Sequence, residues 1–314
     1  MKTVACVGMA VADLIVGPLE SFEFCDDVTL VDHVNVKPGG DAANVALNLA
    51  AMGVDVSLYS KLGDDLFGRH LLKVYRVRGI GTKTLSISKK HATAVAIGLV
   101  QHDGERVFLY QGGAVDALTM DDIKIGDVLA KDILHTSGFY LLPGLENSGL
   151  TELFYTAKRQ GKMTSLDVGW DVQGRWLEKI ESLLPSLTYF LPTLKEAQQI
   201  AQKISIEDCA AFFIRKGVEV VVINAGVEGA YVCEGERSYW VHGEPMRKII
   251  DTTGAGDGFV SGFLAAIARG YSIFEAVNVA NRAGAAVMQQ YGSSGAITHF
   301  EQVDTAKKCH DTVI

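Results

Sequence analysis

The sequence predicts an α/β protein in which a mostly parallel central sheet is flanked by helices and accompanied by a small separate β-sheet. Three observations lead there. Along most of the 314 residues, short β-branched runs alternate with longer helical patterns, as repeated β-α units do. Two regions, 13–36 and 91–112, break that alternation, being strand-like with no helix between the strands. A glycine-containing turn at 254–258 then runs straight into an apolar segment with helical spacing at 259, 263, 264 and 267.

In chain order, the first strand is expected at Thr3–Val7, followed by a helix over 41–52, a strand at Asp55–Ser60 and a helix over 66–78. The regions 13–36 and 91–112 can pair with each other as the small sheet, and Asp103-Gly104 is a hairpin signal between Ala94–Gln101 and Arg106–Tyr110. After position 130 the alternation resumes: strand Ile133–Thr136, helix 148–160, strand Met163–Asp167, helix 175–184 and strand Tyr189–Leu191. Helices over 195–202 and 207–216 precede strand Glu219–Asn224. Gly229–Cys233 and Ser238–Val241, joined through Glu234–Arg237, form an edge hairpin, and helices are expected over 259–268, 273–288 and 300–312.

Composition narrows the function classes. A net charge of −8 with no basic block disfavours nucleic-acid binding as the main role. The five cysteines are scattered without a Cys-x-x-Cys pair, which argues for reduced thiols rather than a disulfide frame or a zinc site. Lys2, the apolar run Val4–Ala12 and the triplet Ala10-Val11-Ala12 loosely mimic a secretion signal. Gly8 interrupts that run and a single basic residue precedes it, so a buried parallel strand is the better reading. No stretch approaches the roughly 20 apolar residues of a membrane span. The expectation is a cytoplasmic, soluble protein with a small-molecule substrate.

The most informative stretch is Asp251-Thr252-Thr253-Gly254-Ala255-Gly256-Asp257-Gly258. Glycines at 254 and 256 let backbone N–H groups approach an anion, and the helix that follows adds its positive end. Asp257, in the first helical turn, could take a proton from an attacking hydroxyl. That combination points to phosphoryl transfer to an alcohol. A Walker loop is excluded because Asp257-Gly258 stands where Lys-Ser or Lys-Thr is required, and the dinucleotide fingerprint fails at Phe259. A capping aspartate before a buried helix is the plain alternative.

These eight residues resemble the C-terminal signature of the ribokinase-like (PfkB-type) sugar kinases. Gly39-Gly40-Asp41-Ala42-Ala43-Asn44-Val45-Ala46, continuing through Ala51 to Gly53, resembles that family's N-terminal signature. Both occur in the family's order and at about its separation, and the likeness extends over nearly the whole chain. The resemblance implies a ribokinase-like fold and a kinase using ATP and Mg²⁺, with Asp257 as catalytic base and Gly254, Ala255 and Gly256 as the N–H cradle. Asp13 matches the aspartate that grips sugar hydroxyls, and Gly39, Gly40 and Asn44 lie in the substrate-binding signature. Asn224, Gly226, Gly229 and Asn281 match positions near the nucleotide. Pro192-Thr193-Leu194-Lys195-Glu196 resembles an Asn-x-x-Glu element whose glutamate organises Mg²⁺ and its waters, here with Thr193 in place of asparagine. Asp251, with carbonyls around Tyr291-Gly292-Ser293-Ser294-Gly295, matches the place where many relatives hold K⁺.

Each residue also has a structural reading. Asp13 suits a turn, Asn44 a helix cap, and Asn224 to Ala230 turn chemistry; Asn281 is a polar position on a helix face. Glu196 could complement a helix dipole, and Asp251 could accept N–H bonds within its own turn.

In this family a small sheet forms a lid over the sugar site. Here the lid would be 13–36 and 91–112, and the main domain 1–12, 37–90 and 113–314, with Thr93 and Arg106 in reach of substrate. Paired lids in relatives imply a homodimer. Val11 stands where ribokinases carry asparagine, and Gly169 of Asp167-Val168-Gly169-Trp170 where many sugar kinases do. The expected activity is transfer of the γ-phosphoryl group of ATP to a primary hydroxyl of a sugar or sugar-like molecule. A nucleoside kinase of the same family and a non-catalytic ligand-binding descendant are the alternatives, and the missing fingerprint disfavours a dehydrogenase.

Overall fold

The computed structural model describes residues 1–19, 28, 30–101, 106–146, 148–244, 249–289 and 292–304. Its strands are β1 (Val4–Gly8), β2 (Val11–Leu19), β3 (His33–Gly39), β4 (Val56–Tyr59), β5 (Lys61–Gly63), β6 (Ser86–Ser88) and β7 (Ala94–Gln101). They continue with β8 (Arg106–Gln111), β9 (Ile133–Ser137), β10 (Met163–Leu166), β11 (Tyr189–Phe190), β12 (Val220–Asn224), β13 (Ala230–Glu234) and β14 (Arg237–Val241). The α-helices are α1 (Asp41–Ala51), α2 (Leu66–Val77), α3 (Gly113–Asp116), α4 (Ile125–Leu129) and α5 (Ser148–Arg159). After them come α6 (Leu177–Ile180), α7 (Leu194–Ala201), α8 (Ile206–Arg215), α9 (Ala255–Arg269) and α10 (Ile273–Val287).

The main sheet has the order β14-β13-β12-β11-β10-β9-β1-β4. Neighbours from β12 to β4 run parallel, while β13 and β14 add the expected antiparallel edge. Side chains alternate across it, as the two-residue period of a strand requires. Val4, Cys6, Val220 and Val222 join one core with α1, α9 and α10. Ala5, Val7, Val221 and Ile223 join another with α5, α7 and α8. Both faces are therefore covered, which is why the first strand reads as a continuous apolar run.

The second sheet has the order β3-β2-β7-β8, parallel at β2–β7 and antiparallel at its two outer pairs. Its strands reach Val11 and Gly39, beyond the expected 13–36 at both ends. The chain leaves the main sheet at Gly8, where a Cβ would lie 2.7 Å from the Ser137 carbonyl oxygen, and enters β2 two residues after Met9. Asp13 thus sits just beyond the junction of the two sheets.

Several boundaries differ from expectation for physical reasons. The helix expected over 259–268 begins at Ala255, because the glycine turn winds directly into it. The segment 175–184 breaks into α6 and a short 3₁₀ turn at Leu184–Ser186, where Pro185 lacks the N–H a continuing helix needs. Of the helix expected over 300–312, a 3₁₀ turn at Phe300–Gln302 is present and residues from 305 lie outside the described ones. Asp103-Gly104 also lies outside the described residues. The segments α3, α4, β5 and β6 are too short to show a sequence period.

Helices α9 and α10 approach closely because glycines face the contact. A methyl group on Gly262 would lie 2.6 Å from the Ala283 Cβ, and one on Gly258 would lie 2.7 Å from a Val287 methyl. Gly262→Ala improves helix propensity by up to about 1 kcal/mol. Overpacking against α10 costs about 1–3 kcal/mol. Urea unfolding is expected to show a net loss of stability; a gain would mean that the helices separate freely.

Candidate active site

Ligands of open α/β sheets bind beyond the carboxyl ends of the strands, and two helix N-termini converge on that edge here. Helix α1 starts after Gly40 and α9 after Gly254, and the two helices pack against each other. Asn44, buried in α1, donates from Nδ2 to Asp257 Oδ2 at 2.8 Å and accepts at Oδ1 from Ser293 Oγ at 3.0 Å. It does not cap its helix: Gly40 holds the N-cap position, without a side-chain bond. The two sequence signatures, 213 residues apart, are therefore joined by one side chain.

Gly254 meets two demands at once. Its φ of 73° lies in the left-handed region, and a Cβ there would sit 2.4 Å from that of Ser293. The N–H groups of Gly256 and Asp257 meet no acceptor among the described residues, as expected for the first turn of a helix. Apart from its own helix, no described residue comes within 4 Å of the position a Gly256 Cβ would take.

Asp13 is buried against Gly39, where a Cβ would lie 2.0 Å from the carboxylate. Burial, and then the charge of Asp41, push its carboxyl up to about 7. Asp41, in the first turn of α1, is pushed up to about 6 by burial and by Glu196. Asp167, just past β10, stands well above the usual carboxylate range through burial and the charges of Glu196, Asp41 and Asp257. Asp257 is raised in the same way, by burial, Asp41 and Asp13, against the bond from Asn44. Its basicity is thus shifted as well as positioned, which the sequence does not anticipate.

Glu196 closes a capping box on α7. Its Oε2 accepts from the Thr193 N–H at 2.8 Å, and its own N–H donates to Thr193 Oγ1 at 3.4 Å. This is the structural reading, yet burial still raises the carboxyl, and its charge acts on Asp41 and Asp167. Among the described residues no three such side chains are gathered closely enough to hold a metal ion by themselves, so these carboxylates suit at most Mg²⁺, a hard cation that takes few protein ligands and keeps its waters.

Next to these groups lies a cleft of about 480 Å³ lined in part by Asn224, Gly226, Ala255, Gly256, Phe259 and Asn281. The cleft combines an apolar lining with the N-terminus of α9, whose unpaired N–H donors suit an anionic group. Asn224 Oδ1 accepts from the Gly226 N–H at 2.9 Å, and Asn281 Nδ2 donates to the Val241 carbonyl at 3.0 Å. Gly229 does not line the cleft. It is a packing glycine of the hairpin, since a Cβ would lie 2.2 Å from the Val241 carbonyl oxygen.

Asp251 bonds within its own loop, accepting from the Thr253 N–H at 2.8 Å and from its hydroxyl at 2.6 Å. Its second oxygen accepts from the Gly292 N–H at 2.9 Å, and Tyr291 lies outside the described residues. Thr93 is fully buried and structural, donating to Asp65 at 2.8 Å and accepting from the Gly63 N–H at 3.0 Å. The side chain of Arg106 is outside the described residues. The sequence assigns a role to neither the Asp41 carboxylate nor the Ser293 hydroxyl, naming Ser293 only within the loop of carbonyls beside Asp251. Asp41 carries a signal, a carboxylate directly after the glycine pair; Ser293, in a serine- and glycine-rich turn, carries none.

The raised carboxyls have a consequence for stability. In an unfolded chain an aspartate titrates near 3.9. Between there and the folded values of about 7 and 6, the folded protein binds more protons, so stability falls as pH rises through that window. Asp13→Asn removes one contribution, whose slope is at most about 1.36 kcal/mol per pH unit. The ligand-free variant is expected to melt above the parent at about pH 8, the gain shrinking towards about pH 5. Equal gains at both pH values would mean Asp13 titrates normally.

A family model described as pfkB family carbohydrate kinase matches residues 1–299. An uncharacterised sugar kinase of Archaeoglobus fulgidus is 28% identical over 248 residues, covering 79% of this chain and 96% of that protein. A 2-dehydro-3-deoxygluconokinase of Bacillus subtilis is 25% identical and covers 87% of each. A solved structure of a putative ribokinase II from E. coli, in complex with ATP and Mg²⁺, superposes with a TM-score of 0.85 at 19% identity, covering 96% of this chain and 98% of that one.

Proposed function

The chain belongs to the pfkB family of carbohydrate kinases and is a phosphotransferase, and from that premise we propose that it transfers the γ-phosphoryl group of ATP to a primary hydroxyl of a sugar or sugar-like molecule. The observation that carries this reading is the bond from Asn44 to Asp257 beside the free N–H groups of Gly256 and Asp257. One carboxylate oxygen is held by Asn44, leaving the other for the substrate hydroxyl. Burial makes Asp257 a stronger proton acceptor than an exposed aspartate, so the proton moves to it as the hydroxyl oxygen bonds to phosphorus. Charge developing on the transferred group meets the N–H donors and positive end of α9. Asp13, with the Gly39-Gly40 turn and Asn44, would fix the sugar. Asn224, Gly226 and Asn281 would line the nucleotide side.

Glu196 and Asp167 would hold Mg²⁺, which when bound supplies charge neutralisation at the phosphates. A K⁺ ion beside Asp251 and the 292–295 carbonyls would brace the Gly254–Gly256 loop; its support is the Asp251 to Gly292 bond, which brings these segments together. Asp257→Asn keeps the shape and removes the acceptor. Its turnover is expected to fall by about 10²–10⁴-fold with ATP affinity little changed, read by a coupled ADP assay and calorimetry. Turnover within a few-fold of the parent would remove Asp257 from the mechanism.

The small sheet would act as the lid and, paired with that of a second copy, as a dimer interface. Val34, Val36, Val107, Phe108, Leu109 and Tyr110 on its outer strands are all exposed, an apolar surface that a monomer leaves in water. Sedimentation at micromolar concentration is expected to give a dimer that Leu109→Lys dissociates. A fully active monomer would overturn the pairing.

A further inference from the structure

A cleft of about 580 Å³ opens between β3, α2 and the turn after α10, and it shares no lining residue with the cleft at the start of α9. Positions 70, 73, 74 and 77 fall on one face of α2, so His70 and Lys73 line this wall together with Val74 and Val77. Arg78 adds a guanidinium at the end of that helix, and Lys37 lines the cleft from β3. Ser294 and Gly295 line it from the turn.

Three permanent cations in one concavity stand out in a chain with 37 Asp and Glu against 29 Lys and Arg. Basic side chains nearby find acids: on α2 itself Arg69 pairs with Asp64, and Lys61 of β5 pairs with Asp122. His70, Lys73 and the Arg78 guanidinium make no ion pair or side-chain hydrogen bond among the described residues. Lysine and arginine stay charged at neutral pH, so Lys37, Lys73 and Arg78 repel one another across the cleft. An anion between them removes that cost. The N–H groups of Ser294 and Gly295 likewise donate to no acceptor among the described residues. Backbone N–H groups beside side-chain cations are the donors that the oxygens of an anion take.

We propose that this cleft is a second ligand site, which binds a small phosphate ester as an effector of the neighbouring active site. A phosphate group offers oxygens to the two lysines as point charges and to the arginine fork in pairs. Val74 and Val77 give the carbon body of the ester an apolar floor, and the volume suits a metabolite rather than a polymer. Two connections carry occupancy to the active site. Ser294 and Gly295 adjoin Ser293, whose hydroxyl donates to Asn44, and Gly292, whose N–H donates to Asp251. Lys37 stands opposite Asp13 in the β2–β3 pair, with its amino group 2.9 Å from where a Gly292 Cβ would lie. A ligand drawing on Lys37 and on the Ser294 and Gly295 donors thus acts on the turn against which Gly254 packs at the start of α9. The effector role rests on the kinase reading above; the binding site does not.

The test is calorimetry on the full-length protein at about 0.15 M salt, with glucose 6-phosphate, ribose 5-phosphate and inorganic phosphate as probes. An ester is expected to bind with ATP and Mg²⁺ present as well as absent, and to shift the affinity for ATP by about fivefold or more. Inorganic phosphate should bind more weakly, since it has no body to meet Val74 and Val77; equal affinity would overturn the ester assignment. Lys73→Gln combined with Arg78→Gln is expected to weaken ester binding by about tenfold or more. Without ester, the same variant should keep the melting temperature and ATP affinity of the parent. Ester binding that survives the double substitution, or that ATP displaces outright, would overturn the site. ATP affinity unmoved by a bound ester would overturn the effector role. Binding is read without turnover, so a protein that binds the ester and phosphorylates no sugar would lose the kinase reading and keep the site.

Discussion

One buried side chain sets the geometry on which the rest of the site depends. Asn44 donates to Asp257 and accepts from Ser293, linking the first turns of α1 and α9 to the loop beyond α10. An amide is the side chain for this: it carries a donor and an acceptor on one rigid plane, so a carboxylate and a hydroxyl can both be satisfied. Aspartate there would set two carboxylates against each other, and leucine would strand two buried polar groups at about 1–3 kcal/mol each. The bond also requires the backbones to come close, which is why Gly254 lacks a Cβ where Ser293 passes. Packing and hydrogen bonding therefore enforce one another, and the start of α9, whose Gly256 lines the cleft, is held in place as a result.

That geometry also concentrates negative charge. The end of strand β10 and helices α1, α7 and α9 each deliver a carboxylate to the same edge, with Asp13 added from the start of the small sheet. The positive end of α9 favours an ionised Asp257, while burial and the neighbouring acids oppose it. Opposition wins, as the raised carboxyl indicates. The outcome is a carboxylate more basic than an exposed aspartate and fixed in position by Asn44.

Much of this was legible in the sequence, in proportion to how local its cause is. The alternation of strands and helices, the edge hairpin and the separate sheet follow from side-chain periodicity, which a strand or helix imposes on its own residues. The two glycine turns were legible because backbone close approach leaves few residue choices. The break at Pro185 is legible in principle, since proline ends a helix for local reasons, although the surrounding apolar pattern masks it. What could not be read is what depends on convergence. Nothing local marks Ser293 as a partner of Asn44, 249 positions away, or separates Gly226, which lines the cleft, from Gly229, which packs a turn. Thr93 is polar and lies in the small-sheet region, so it resembled a contact residue, yet its hydroxyl is spent on Asp65 and Gly63.

The carboxylate cluster is where the chain departs most from the rules that its cores obey. Both faces of the main sheet are apolar and filled, and the acids at its carboxyl edge weaken the folded state whenever they ionise. Such a cost persists only where the surroundings over-determine the arrangement, and here the two cores and the Asn44 bond do so. A hydroxyl donor or a cation brought to that edge would relieve part of the repulsion.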